Sequence, residues 1–459
     1  MNTKKLNVLL IHPEISRTKY NFAGVIENEC LELEYISSVL KAKGHQVYMY
    51  DGQIENVSVR NRIREYNPDI IYVCGRTRQE NFMLEYCEEA KQYNSRIMTV
   101  IGGLHAQLCY ERMYRDYVDY ILISFDIYLL LNMIERHFYG VTDALEGLSG
   151  ICYRNKGQWI CTGQTAVDIN SLPLPDRSYF YEHPNNYRYL ELEHAAWVRT
   201  AYSCPYNCMF CHRNRMNNHT YSCRDIESVV EEISKIKSDN IYIVDDDFLY
   251  NRERLLSFVR LVREKNINKK FICYGRADFI AANEDVMAEL KSIGLYYVLV
   301  GLETMDEDCL KKYNKCSNMN NNIQCIEICK KLGINIMAMF ILDLDFTPKD
   351  FKKLYKWIKL RGLKHVAVSI FTPELGMDII DEYSDRLITD NPSHWDYLHL
   401  VAKPSNMSVR RYYFSYYILL IKLFLKAKRE GVYDFINYGD YIRSFIKNFV
   451  KGKRTNDDR

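Results

Sequence analysis

The sequence lacks several features that would sort it quickly. No run approaches the roughly 18 consecutive apolar residues of a membrane-crossing helix. The nearest, YYFSYYILLIKLFL at 412–425, is broken by Ser415 and Lys422. Neither sign of charge is in excess: a formal net charge of +2 over 459 residues gives no overall bias toward nucleic acid or an acidic partner. A secretory leader is not expected. MNTKKLNVLLIHPE has its lysines but too short an apolar run before His12 and Pro13, and it reads as a first β-strand. There is no internal repeat and no low-complexity tract. Cysteine is plentiful, with 15 residues, yet none follows Cys329. Scattered cysteines without a leader indicate a reducing compartment in which thiols serve as ligands or packing, so a cytoplasmic location is expected.

What is present suits a soluble globular chain of two or three domains: 47% hydrophobic and 26% charged residues are enough to bury a core in each. Residues 1–145 alternate short apolar runs (LNVLLI 6–11, QVYMY 46–50, IIYVC 70–74, IMTVI 97–101, DYILI 119–123) with helical patterns such as 28–42 and 80–93. That rhythm predicts parallel βαβ units and an open, doubly wound sheet, whose ligands sit beyond the carboxyl ends of the strands. Residues 146–190 change character: GICYRNKGQWICTG reads as a hairpin turning at Lys156-Gly157, and SLPLPDRS as a proline-stiffened linker. Residues 191–378 resume the alternation with six strand candidates, which predicts a barrel or partial barrel with its function at the strand ends. Those ends carry Cys204, Asp245, Arg276, Glu303, Asp343 and Thr372. Residues 379–459 are helical and rich in tyrosine.

The densest chemical signal is SCPYNCMFC, 203–211, with Cys204, Cys208 and Cys211 on one loop. Three clustered thiolates are soft ligands suited to iron–sulfur clusters or zinc. Structural zinc normally closes with a fourth Cys or His. His212 is too near to complete that geometry, and no second C-x2-C follows. A cubane cluster held by three cysteines leaves one iron open to a reactant.

The spacing C-x3-C-x-aromatic-C, here Cys204, Cys208, Phe210 and Cys211, resembles the signature of the radical S-adenosylmethionine (SAM) superfamily. The doubly wound block, hairpin, LPLPD linker and cysteine loop together resemble its cobalamin-binding subfamily over roughly residues 1–380. The resemblance implies a Rossmann-like cobalamin domain, a partial (β/α)6 barrel and three cofactors: a [4Fe–4S] cluster, SAM and cobalamin. SAM's amino and carboxylate groups would chelate the open iron, Phe210 would pack near the adenine, and Asp246, Arg276 and Glu303 would contact SAM. Reductive cleavage would yield a hydrogen-abstracting 5′-deoxyadenosyl radical, with an electron donor such as flavodoxin or ferredoxin. Gly102 and Gly103 match the Gly-Gly at which the backbone approaches the cobalamin tail, and Arg76 and Arg78 in GRTRQ are candidates for cobalt's lower face. The Asp-x-His-x-x-Gly loop of cobalamin mutases is absent, so His12 is not expected to ligate cobalt. An unligated lower face favours cob(I)alamin, a nucleophile toward the methyl group of SAM. In place of the usual Gly-x-Pro after the fifth strand stands LDLDFT, 342–347, so that Asp343 and Asp345 line the site or replace a turn.

The resemblance implies methylation of an unactivated carbon, less often phosphorus, centre. Two alternatives stay open: a radical cyclisation, ring contraction or carbon–carbon coupling on the same parts, and a non-catalytic cobalamin or redox sensor. A small-molecule or lipid-like substrate is expected, and no nucleic acid. Cys325 and Cys329, four apart, are expected to pack. The basic, apolar stretch after 410 is expected to pack over the barrel mouth, with an interfacial helix as its alternative.

Overall fold

The structure is a computed structural model, and it describes residues 5–15, 26–139, 145–315 and 317–435. Residues 16–20 of the loop after the first strand, and 436–459 of the basic tail, lie outside the described residues.

The N-terminal strands β1 (Asn7–His12), β2 (Gln46–Asp51), β3 (Ile70–Cys74), β4 (Met98–Gly102) and β5 (Tyr120–Leu122) form a parallel sheet in the order β2-β1-β3-β4-β5. Val8, Leu9, Leu10 and Ile11 are all fully buried, as expected of a strand covered on both faces. Helices α1 (Leu31–Ala42), α2 (Val59–Tyr66) and α3 (Glu80–Tyr93) provide part of that cover. The hairpin β6 (Ile151–Asn155) and β7 (Gln158–Cys161) turns at Lys156 and Gly157, both at positive φ, and pairs antiparallel onto β5. The sheet therefore has seven strands and runs past residue 145 into the hairpin. Its register sets Cys152 opposite Cys161, and the two are joined by a disulfide. The expectation that the cysteines serve only as ligands or packing fails at this pair.

The second sheet has six parallel strands, each beside its neighbour in sequence: Ala196–Val198, Asn240–Ile243, Lys270–Gly275, Leu295–Glu303, Asn335–Leu342 and His365–Ile370. This is the expected partial barrel. Alternation along the strands sends Ala196, Val198, Ile241 and Ile243 into one buried cluster with the outer helices. Trp197, Tyr242, Ile272, Tyr297 and Leu299 go the other way, into a cluster continuous with Leu6, Val8, Leu10, Ile70 and Tyr72. The open side of the barrel is thus packed against the N-terminal sheet. Cys325 and Cys329 are fully buried, as expected.

A charge cluster clasps the two units through the linker. Arg177 pairs with Glu29 from the N-terminal unit and, at 2.9 Å, with Glu232 from the barrel. It also donates to the Trp197 carbonyl at 2.6 Å. All three charged groups are buried.

The helix Val409–Arg429 lies along Pro348–Leu360, on the flank of the barrel rather than over its mouth. Only its N-terminal end reaches the rim, where the Tyr412 hydroxyl donates to the carbonyls of Leu342 (2.9 Å) and Asp343 (3.2 Å). Among the described residues no helix is long and apolar enough to cross a membrane.

Candidate functional site

The cysteine loop leaves the short ribbon Ala201–Tyr202, paired antiparallel with Ser222–Cys223. Ser203 opens it at φ 65°. The Cys211 amide donates to the Cys208 carbonyl (3.1 Å), and the Met209 amide to Tyr313 (3.1 Å). Asn314 Nδ2 donates to the Asn207 carbonyl at 2.7 Å, so the loop is seated on the segment that follows Leu295–Glu303. Burial pushes the thiols up, to about 11 for Cys204 and about 12 for Cys211, with Cys208 also raised. As free groups they are neutral thiols; iron bonds would hold them as thiolates. His212 does not complete the set. Its Nδ1 faces Glu374 at 3.9 Å, and burial, then Arg213 and Arg76, lower its pKa to about 3. Three soft donors without a fourth fit a cluster with one open iron.

The three successive aspartates after Asn240–Ile243 divide by environment. Asp245 is consumed by the fold, accepting from the amides of Thr200 (2.6 Å) and Ala201 (2.9 Å) and from the Thr200 hydroxyl. Asp246, the SAM contact expected from sequence, lies 3.2 Å from Arg213 and faces the cavity described below. Asp247 has both carboxylate oxygens buried without a hydrogen-bond partner, and burial raises its pKa to about 7. Two buried, unsatisfied acceptors in one side chain are costly.

Cations stand nearby. Arg276 bonds Asp278 at 3.0 Å, donates to the Lys315 carbonyl and approaches Cys208 Sγ at 3.9 Å, its guanidinium 3.7 Å from the centre of the Tyr206 ring. Glu303, at φ 61°, accepts from Lys315 Nζ at 2.6 Å. A Cβ at Gly301 would come within 2.8 Å of that Nζ, so glycine leaves room for the pair. Phe210 packs edge-on against Tyr313, ring centres 5.4 Å apart. The Tyr313 hydroxyl donates to Asp343 at 2.8 Å. Asp343 also accepts from the Asp345 amide at 3.0 Å, so it closes the turn where Gly-x-Pro is usual. An unpartnered acid beside an arginine and a lysine, next to three thiols, fits a ligand with an ammonium and a carboxylate on one carbon. Lys315 and Tyr313 are additions that sequence reading missed, and Asp247 stands out only here among three adjacent aspartates.

The rim of the N-terminal sheet is made differently. Register pairs Cys74 with Gly102. Gly103 follows at φ 91°, where a Cβ would stand 2.7 Å from Cys74 Sγ and 2.9 Å from the Gly75 amide. Only glycine fits. Arg76 begins the turn Thr77–Gln79, its amide donating to Gln79 Oε1 at 2.9 Å. Arg78 follows in that turn, its basicity lowered first by burial and then by Arg76. His12 is drawn into a network: its Nδ1 is 3.1 Å from both Asp51 and Cys30 Sγ, and its Nε2 is 3.0 Å from the Gln53 amide group.

Both rims face one cavity of about 1430 Å³, counted with the solvent at its mouth. Arg76, Arg78 and Gly103 line it from the N-terminal unit, and Arg213 and Asp246 from the barrel.

Comparison with known proteins agrees with this geometry. The radical SAM superfamily model matches residues 198–358, and the B12 binding domain model matches 27–125. The chain is a radical SAM enzyme with an N-terminal B12-binding domain, and its cofactors are a [4Fe–4S] cluster, SAM and cobalamin. It is 24% identical over 423 residues to the hopanoid C-3 methylase of Methylococcus capsulatus, covering 89% of this chain and 78% of that protein. It is 22% identical over 415 residues to the anaerobic magnesium-protoporphyrin IX monomethyl ester cyclase of Rubrivivax gelatinosus, covering 88% and 74%. Among solved structures, the cobalamin-dependent SAM radical enzyme OxsB superposes with a TM-score of 0.70 at 16% identity, over 88% of this chain; the match spans 65% of OxsB. The radical SAM methyltransferase TsrM of Kitasatospora setae gives 0.68 at 14% identity, over 91% of this chain and 89% of its own. These two likenesses concern the fold.

Proposed function

We propose that the protein transfers a methyl group to an unactivated carbon (less often phosphorus) centre. The observation that carries this is one cavity lined by Arg76, Arg78 and Gly103 from the N-terminal unit and by Ser203, Arg213 and Asp246 next to the cysteine loop, because methyl donor and radical source must reach one acceptor. When bound, the cofactors supply a hydrogen-abstracting radical on one side of that space and a transferable methyl group on the other. The chain's own residues orient them and exclude water. Cys204, Cys208 and Cys211 hold the cluster. Asp247 accepts from the ammonium of SAM, Arg276 and Lys315 stand to its carboxylate, and Phe210 packs against the adenine. Asp246 and Glu303 hold their basic partners Arg213 and Lys315 in place beside SAM. Gly102 and Gly103 would admit the cobalamin tail, and Arg76 and Arg78 would stand beside the corrin. A flavodoxin or ferredoxin supplies electrons, and the acceptor is a small or lipid-like molecule in the cytoplasm or at a membrane surface.

The likeness to the hopanoid methylase favours this reading. The likeness to the cyclase favours a second one, radical cyclisation on the same parts. Product analysis after anaerobic turnover separates them. A methylase gives a product heavier by a methyl group, with S-adenosylhomocysteine; the cyclase reading gives 5′-deoxyadenosine without S-adenosylhomocysteine. Absence of both nucleosides from reduced, reconstituted protein would remove both readings and leave a sensor.

A further inference from the structure

The helix Val409–Arg429 packs by one face only. Tyr412, Tyr416, Leu419 and Leu423 are buried against the barrel flank. The opposite face carries Phe414 (66% exposed), Ile418 (38%), Ile421 (58%) and Leu425 (46%). Spaced by four, three and four residues, these form one stripe along the helix. Single exposed apolar residues are ordinary; a continuous stripe of large ones marks a surface that meets something apolar.

Charge decides what that is. The helix contains no Asp or Glu, and its charged residues are Arg410, Arg411, Lys422, Lys426, Lys428 and Arg429. Arg410 and Arg411 stand at one end of the stripe and Arg429 at the other, all exposed. A second copy docking stripe to stripe, parallel or antiparallel, would bring arginine against arginine or lysine. Like charges at such positions oppose pairing. An anionic lipid surface meets the same pattern with attraction at both ends and an apolar layer between them.

We infer that the exposed face of Val409–Arg429 docks on an anionic lipid bilayer, with Phe414, Ile418, Ile421 and Leu425 in the headgroup–acyl boundary. The Tyr412 bonds to the carbonyls of Leu342 and Asp343 fix the N-terminal end of this helix to the rim of the barrel mouth. Docking therefore brings the mouth close to the lipid. The inference stands independently of which reaction the site performs.

The test is co-sedimentation of the full-length, reconstituted protein with phosphatidylcholine vesicles, with and without phosphatidylglycerol. Binding to the anionic vesicles is expected to be at least about tenfold tighter than to the neutral ones and to weaken with added salt. The double variant Phe414→Ser/Ile421→Ser is expected to lose about tenfold in partitioning, and Arg410→Glu/Arg411→Glu a similar factor. SAM cleavage by these variants in vesicle-free buffer should stay within about twofold of the parent, which shows that they are folded and keeps docking separate from the reaction. Equal binding to both vesicle types, no binding, or variants that partition like the parent overturns the inference. So does a concentration-dependent dimer that Ile421→Ser dissociates, which would assign the stripe to a second copy.

Discussion

The rim of the N-terminal sheet and the rim of the barrel are built from different materials. On the N-terminal sheet, Gly103 faces the cavity without a side chain, and the side chains that follow β3 are two arginines. On the barrel, acids are set against buried bases after the strands: buried Glu303 on Lys315, half-buried Asp278 on Arg276, and buried Asp247 without a hydrogen-bond partner. On the proposed function, the first rim would admit a large cofactor by shape and the second would select a small zwitterion by charge. A cavity edge that relies on close approach is sensitive to volume, and one that relies on ions is sensitive to charge and pH.

The sharpest way to break the contrast is Cys208→Ser on the barrel rim. Iron is expected to fall with loss of one of three ligands, SAM cleavage to drop to background, and cobalamin binding to persist; iron assay and absorbance after reconstitution report all three. Loss of cobalamin as well would mean that the rims are not independent. Next in size is Arg177→Met, which leaves Glu29 buried without its cation, while Glu232 keeps Arg224 at 2.5 Å. Removing one partner of such a cluster costs about 3–5 kcal/mol, so a large fall in denaturation midpoint is expected.

Gly103→Val acts on the other rim. The new side chain meets Cys74 and the Gly75 amide at a positive φ, and cobalamin affinity is expected to fall about a hundredfold with iron content unchanged. Reduced iron in this variant would count against a rim that works by shape alone.

The smallest expected effect is Asp247→Asn, about tenfold weaker binding of SAM, measured by equilibrium dialysis. Burial raises this carboxyl to about 7, and its protonated form cannot pair with an ammonium. Affinity in the parent is therefore expected to decline as pH falls through about 7, and to be flat in the asparagine variant. An equally steep pH dependence in Asp247→Asn would place the titrating group elsewhere.

Much of this was legible in the chain. The cluster loop was, because three thiols within eight residues must share a site however the rest folds. Both parallel sheets were, because apolar runs of strand length alternate with amphipathic helices. The division of labour among Asp245, Asp246 and Asp247 was not. Three identical side chains in a row differ only in where the strand end points them: at the amides of Thr200 and Ala201, at Arg213, or into a space with no partner.

Local pattern also missed contacts made across distance. Lys315 reaches back twelve positions to Glu303, and Cys152 meets Cys161 only through hairpin register. The stretch 412–425 read as apolar, but which of its residues would be buried depended on the packing against Pro348–Leu360.

Sequence alone determined the class of chemistry and the order of the units, because ligand spacing and hydrophobic period are properties of neighbours along the chain. Tertiary structure alone decided which carboxylate is left unsatisfied, which face of the last long helix stays outside, and that Arg76 and Arg78 share one cavity with Arg213 and Asp246. Those follow from burial and from the approach of segments far apart in sequence, which local spacing does not encode.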